Sequence, residues 1–372
     1  MAEAATPPGP HESISATDAI GPLAPPDSLG FADAVLDLPD QVAAAFRTLT
    51  VTGPLPARDE IANVLVLGTG AAGWVGDLLA AVAGPYMAVP LVVHKGFEPP
   101  SFVDASTLVV AISASGNAPE VVASASTCVE AGGRLFAVTS GGRLGALADE
   151  REAPTVFLPT AASNPPVPPR ARIGAMAVPV LKAFDVMGLF PGGRDWIAAA
   201  IDALRARRDA SAGEGAGEVE RIVRAIGTTM PLVYGGGTLG GVAARRWKDQ
   251  LNQSAKLPAF TGELPEVVHA ELAGWGQHGD VTRQIFSLVL LRHDEEPPEV
   301  VEQFAAVETW TDEVVADIVS VRARGEGALA QLLDLAFLGD LVALELAARA
   351  GIDPGPTPVI TPSPFVPESP DV

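Results

Sequence analysis

A single cysteine, Cys128, stands in 372 residues, which excludes an intrachain disulfide framework and any zinc site built on several cysteines. It fits a reducing compartment, so a cytoplasmic location is expected. Basic residues are scarce: 24 Lys and Arg face 45 Asp and Glu, giving a formal net charge of −21. Nucleic acid and anionic membranes both call for a basic surface stripe, so neither is expected as a partner. The N-terminal MAEAATPPGPHESISATDAIGPLAPPDS lacks a basic start and an apolar segment, and reads as a flexible tail rather than a secretory signal. The longest apolar stretch, Ile173 to Phe190, is broken by Pro179, Lys182 and Asp185 and is too polar for a membrane span of ~20 residues. The five histidines, at 11, 94, 269, 278 and 293, show no paired ligand spacing, so no metal site is expected.

What the chain does have is apolar material, 48% of its residues, enough for one large core or two medium ones. Its length favours two domains. After a helical rhythm over Phe31–Leu49, strand and helix patterns alternate: strands at 63–67, 91–93, 108–112, 135–138 and 156–158, with helices from about Trp74 and from Pro119. That alternation predicts an α/β fold with parallel sheets and crossover helices. Residues 189–220 shift in composition and read as a connector, with a boundary near 195. A second unit follows, with a strand at 232–234, the loop Gly235-Gly236-Gly237, a helix through Trp247 and a strand at 285–291. VLVLGTGAAG and LVYGGGTLGG open the two halves in the same way, a weak duplication. The end of the chain, PGPTPVITPSPFVPESPDV, is Pro-rich and reads as extended.

The most informative stretch is TLVVAISASGNAP, where a buried-type strand runs into Ser113, Ser115, Gly116 and Asn117 and then a helix. Small hydroxyl residues, free backbone N–H groups and a helix N-terminus make a phosphate cradle. No Walker lysine pattern precedes this helix, which points to a small phosphorylated metabolite. Gly68-Thr69-Gly70-Ala71-Ala72-Gly73 resembles a dinucleotide loop, but Val93-His94-Lys95 stands where the acidic ribose ligand is expected. It reads instead as a tight strand-to-helix turn that faces the same ligand through Gly70 and Ala71. On an acidic chain an anion needs a fixed cation, and Arg170, in SNPPVPPRARIG, is the leading candidate. His269, flanked by Glu263, Glu266 and Glu271, has the titration range for proton transfer, though an isolated histidine is equally often structural.

Taken in order, GTGAAGWVGD, LVVAISASGNAPE, VTSGG, PPRARIG, LVYGGG, ARRWKDQLNQSAK, LPEVVHAELAGW and FLGDLVALELAARAGIDP resemble the SIS (sugar isomerase) fold proteins, specifically the bifunctional phosphoglucose/phosphomannose isomerase group. The resemblance covers roughly Phe31 to Pro354. It implies two SIS subdomains, each a mainly parallel sheet flanked by helices in an α/β/α sandwich, at residues 31–195 and 196–355, with tails at 1–30 and 356–372. It also implies a homodimer that interconverts an aldose phosphate and fructose 6-phosphate through a cis-enediolate, with no metal or nucleotide cofactor. By the resemblance, Ser113 and Ser115 hold the phosphate together with Gly70, Ala71 and Asn117, Arg170 stabilises the enediolate, and His269 opens the sugar ring from the neighbouring subunit. The family's base glutamate falls on Gln253, a loop serine on Ala72, the threonine after S-G-N on Ala118, and its C-terminal lysine has no counterpart. A carboxamide cannot serve as general base. Three readings follow: an isomerase in which Glu263, Glu266 or Glu271 supplies the carboxylate, a non-catalytic phosphosugar-binding regulatory or scaffold protein, and a structural relic with no small ligand.

Overall fold

The computed structural model describes residues 26–159, 167–212 and 216–357. The first half runs α1 (Phe31–Leu36), α2 (Leu38–Thr48), β1 (Asn63–Leu67), α3 (Gly70–Val82), β2 (Leu91–His94), β3 (Thr107–Ser113), α4 (Pro119–Glu130), β4 (Arg134–Thr139), α5 (Gly142–Glu150), β5 (Thr155–Phe157) and α6 (Ile173–Val186). The second runs α7 (Gly193–Ala212), α8 (Ala216–Ile226), β6 (Met230–Gly236), α9 (Gly237–Gln253), β7 (Phe260–Leu264), α10 (Glu266–Ala270), α11 (Gly279–Ile285), β8 (Phe286–Arg292), α12 (Pro298–Thr311), β9 (Ile318–Arg322) and α13 (Ala328–Arg349).

The strands form two sheets, ordered β2-β1-β3-β4-β5 and β7-β6-β8-β9, and every neighbouring pair is parallel. The duplication read from the two glycine loops is therefore topological: β2-β1-β3-β4 and β7-β6-β8-β9 repeat one order. β3 shows why the sheets must be sandwiched, since all seven of its residues are buried and neither face can meet water. Its residues alternate between two cores. Leu108, Val110 and Ile112 face the central one, and Val109 and Ala111 face the α4/α5 side. β8 does the same, with Val289 and Leu291 inward and Leu288 and Leu290 toward α12. The central core is continuous across both halves, filled by α2, α3, α6, α7, α9 and α13. The indole N–H groups cross it as well: Trp74 donates to the Val242 carbonyl at 2.9 Å and Trp247 to that of Leu335 at 2.7 Å.

The stretch 189–220 carries α7 and the first residues of α8. Its Ala- and Arg-rich run forms helix readily, and α7 packs on both α2 and α13. β7 and β9 escape a pattern search because each is an edge strand with exposed positions and no continuous apolar run. The two expected tails, 1–30 and 356–372, lie mostly outside the described residues. Where described, the chain is already tied down: the Asp27 carboxylate accepts from Phe31 N at 2.7 Å and Ala32 N at 2.9 Å, closing the first turn of α1. Among the described residues no helix is long and apolar enough to cross a membrane.

Candidate functional site

The connection order of the first sheet reverses between β1 and β3, which is where an open α/β sheet leaves a crevice beyond its carboxyl ends. A cavity of about 500 Å³ opens there, lined by Gly70, Ala71, Ser113, Ser115, Arg170 and Gln253. Thr357, from the C-terminal segment, completes the wall. Residues nearly 290 apart in sequence thus share one hollow.

Each contribution has a local cause. Gly70 adopts φ +54° as the first residue of α3, a left-handed conformation that glycine takes without penalty, and no side chain on Thr69 caps the helix. Ala72 N and Gly73 N donate to the Thr69 carbonyl, and Gly70 N and Ala71 N have no partner among the described residues. Ser113 is the last residue of β3 and is buried at 4% exposure, yet its hydroxyl makes no hydrogen bond among the described residues. Ser115 lies in the loop, its Oγ accepting from Asn117 N at 3.2 Å. Gly116 is the fixed point of this loop: at φ +72°, a Cβ built there would lie 1.8 Å from the Gly141 carbonyl oxygen. The loop leans on the Thr139–Gly142 turn, where Ser140 Oγ donates to the Ala114 carbonyl at 2.6 Å.

Arg170 sits in a single helical turn, Pro169–Ala171, before α6. It is 7% exposed, its guanidinium lies 4.3 Å from the Phe31 ring centroid, and its Nε has no partner among the described residues. Nη2 donates to the carbonyls of Pro354 at 2.6 Å and Gly355 at 2.7 Å. Among the described residues no carboxylate hydrogen-bonds it. Burial, reinforced by the charge of Arg246, pulls its pKa down to about 10. The backbone of Arg170 is held separately: Arg246 Nη2 donates to its carbonyl at 2.7 Å, and Arg246 is gripped by Asp340 through Nε at 2.9 Å and Nη2 at 2.7 Å. Lys256, one turn beyond Gln253, donates to the Gln253 carbonyl and, at 2.6 Å, to the Pro356 carbonyl. Burial and the nearby Arg170 hold its ammonium below the ordinary lysine range.

Not every expected residue arrives. The Asn117 side chain turns away to the neighbouring helix, where Oδ1 accepts from Arg143 N at 3.1 Å and so caps the first turn of α5. It is a clamp between loops rather than a cavity residue. His269 is exposed on α10 and does not line the cavity. Glu263, Glu266 and Glu271 line a separate hollow beside α10, and Glu271 accepts the Tyr234 hydroxyl. No carboxylate of this chain lines the Arg170 cavity among the described residues. A depression of about 850 Å³ between α1, α7, α8 and α13 is an apolar groove with charged side chains such as Arg208 and Glu220. It brings together none of the residues singled out in the sequence.

A bifunctional phosphoglucose/phosphomannose isomerase of Aquifex aeolicus is 30% identical over 275 residues, covering 73% of this chain and 79% of that protein. The chain belongs to this family. The isomerase of the same name from Caldicellulosiruptor bescii is 26% identical over 327 residues, covering 87% of this chain and 95% of the relative. Residues 217–362 match the bacterial phospho-glucose isomerase C-terminal SIS domain. The same SIS fold is seen in the C-terminal domain of glucosamine-fructose-6-phosphate aminotransferase from Francisella tularensis, with a TM-score of 0.67 at 14% identity over 88% of this chain and 98% of that one. As a phosphoglucose/phosphomannose isomerase family member the chain is divergent.

Sequence reasoning missed Arg246, Asp340, Lys256 and Thr357. Asp340 did leave a signal: an aspartate inside the apolar run FLGDLVALELAARAG must be either exposed or paired. Thr357 left none, since only the fold brings it back to β3.

Proposed function

We propose that the chain is a phosphosugar-binding protein of the isomerase family that takes a hexose 6-phosphate in the Arg170 cavity and lacks the in-chain base for aldose–ketose isomerisation. One observation carries this reading: a buried guanidinium with no hydrogen-bonded carboxylate among the described residues shares a hollow with the Ser113 hydroxyl, likewise without a partner among them, and the start of α3, which no side chain caps. A buried cation whose hydrogen bonds go only to carbonyls, with the already paired Asp340 as the carboxylate acting on it from a distance, favours an anionic ligand. That no carboxylate lines the cavity among the described residues favours the regulatory or scaffold role over turnover. General-base catalysis contributes about 10²–10⁴-fold, and a carboxamide contributes none of it.

Titration calorimetry with fructose 6-phosphate and with free fructose tests the binding claim: heat is expected from the first and none from the second. Equal behaviour of the two sugars overturns it. A coupled assay for glucose 6-phosphate and mannose 6-phosphate formation is expected to show turnover only after Gln253→Glu. Parent turnover at a rate the variant does not exceed removes the non-catalytic reading.

The exposure of His269 on α10 supports a homodimer in which this histidine reaches the other copy's cavity, and the single cysteine supports a cytoplasmic location. A monomer by light scattering at working concentration contradicts the homodimer.

A further inference from the structure

The two cations at this site, Arg170 and Lys256, are both engaged by one short segment. Arg170 Nη2 meets the carbonyls of Pro354 and Gly355, Lys256 Nζ meets that of Pro356, and the next residue, Thr357, lines the cavity. Two of these four residues are prolines, which carry no N–H, so toward the cations the segment acts mainly as a run of acceptors. It offers oxygen atoms where a ligand's anionic oxygens would be received. Its beginning is anchored away from the cavity: Asp353 accepts from Gly355 N at 3.0 Å through Oδ1 and from Ser28 N at 3.1 Å through Oδ2.

Carbonyl dipoles satisfy the geometry of a guanidinium without cancelling its charge. A guanidinium already binds a carbonyl by a charge-assisted bond, but an anionic oxygen adds direct Coulomb attraction and can meet the planar fork through two parallel donors. A phosphate or enediolate oxygen is therefore a better partner for Arg170 than the Pro354 and Gly355 carbonyls.

We propose that Pro354–Thr357 is an intramolecular strap that occupies the anion-binding donors of Arg170 and Lys256 and is displaced when the phosphorylated ligand enters. The strap rests on the reading that the cavity takes a sugar phosphate, and it adds a device by which the C-terminal segment sets the affinity. Apparent affinity equals the intrinsic affinity multiplied by the open fraction, so a strap closed nine-tenths of the time weakens binding about tenfold.

The test uses the full chain. Asp353→Ala cuts the anchor without touching the cavity wall, and calorimetry should show fructose 6-phosphate binding about tenfold tighter than in the parent. In the parent, saturating fructose 6-phosphate should speed hydrogen exchange at the Gly355 amide. Unchanged or weaker affinity in Asp353→Ala, or slower exchange at Gly355 with ligand bound, makes the segment a fixed wall and overturns the strap while the sugar-phosphate reading stands. Absence of binding by both proteins overturns both. Should Asp353→Ala fail to fold, the exchange measurement on the parent decides.

Discussion

Replacing Asp340 by alanine leaves the Arg246 guanidinium buried at 3% exposure without the carboxylate that grips it through two donors. The remaining partners are the Arg170 carbonyl at 2.7 Å and the face of Trp74, 5.5 Å from the guanidinium carbon. Neither carries a negative charge. Removing one member of a buried ion pair costs about 3–5 kcal/mol because the other charge stays behind uncompensated. Against a typical net stability of about 5–15 kcal/mol, that is a large fraction. The pair as a whole is worth much less, since each ion also lost its hydration on burial. The double variant Arg246→Met with Asp340→Leu should therefore unfold at a higher urea concentration than Asp340→Ala alone. Urea unfolding followed by circular dichroism measures both. The reasoning is refuted if Asp340→Ala lies within about 1 kcal/mol of the parent, the range of ordinary substitutions, or if the double variant is the less stable of the two. Function supplies a second readout. Asp340→Asn keeps the side chain's shape but loses the charge that aims Arg246 at the Arg170 carbonyl, so its affinity for fructose 6-phosphate should fall by more than its stability does.

Gly116→Ala places a Cβ 1.8 Å from the Gly141 oxygen at a positive φ, so the phosphate loop must shift; fructose 6-phosphate binding should be lost and the melting temperature should fall, whereas unaltered binding would show that the loop is not the ligand's seat. Burial raises the Cys128 thiol to about 11, so at pH 8 it should resist a thiol reagent such as DTNB until the protein is unfolded in urea; rapid labelling of the native protein contradicts the buried position. Burial also raises Glu263, with Arg245 opposing it, so the folded state holds this proton more tightly than the unfolded chain. Its contribution is therefore full below the ordinary glutamate range and is lost as pH rises through the elevated folded value. Glu263→Gln should flatten that part of the stability profile and gain stability relative to the parent at neutral pH; an unchanged profile rules out the assignment.

The sequence made the scaffold legible because parallel strands buried on both faces leave runs such as TLVVAIS, and because glycine loops repeat between halves. Helix starts blurred by a few residues: α3 begins at Gly70 rather than near Trp74, since a glycine-rich first turn carries no apolar rhythm. Half of the site was legible for the same reason. Gly70, Ala71, Ser113 and Ser115 sit at strand ends, where position in the motif fixes position in space, and Arg170 and Gln253 join them through family motifs. What stayed hidden depends on contacts across long separations. Asn117 carries the residue type of a phosphate ligand, yet its side chain serves the α5 turn, a use that no local pattern distinguishes. The carbonyls of Pro354, Gly355 and Pro356 carry no sequence signal at all, because any residue offers one.

The duplicated halves differ where it matters for a ligand. After β3 the first half places Ser113 and Ser115 around open space; after β8 the second half places His293, Asp294, Glu295 and Glu296. Glu296, with its side chain 2% exposed, accepts from His293 N at 2.9 Å and from Arg292 Nη2 at 2.8 Å. His293 in turn has its Nε2 2.7 Å from the Gly236 carbonyl and accepts from Glu295 N at Nδ1, which makes Nε2 the donor. A Cβ on Gly236 would stand 3.2 Å from the Glu296 carboxylate, so the chain's own anion is packed against the second glycine loop. The same strand-loop-helix unit thus has two solutions for its spare donors: a side-chain carboxylate that closes the site permanently in the second half, and in the first half neutral hydroxyls and carbonyls that a stronger anion can outcompete. Only the second kind leaves a buried cation wanting a partner, which is why the ligand reading attaches to Arg170 and not to Arg292.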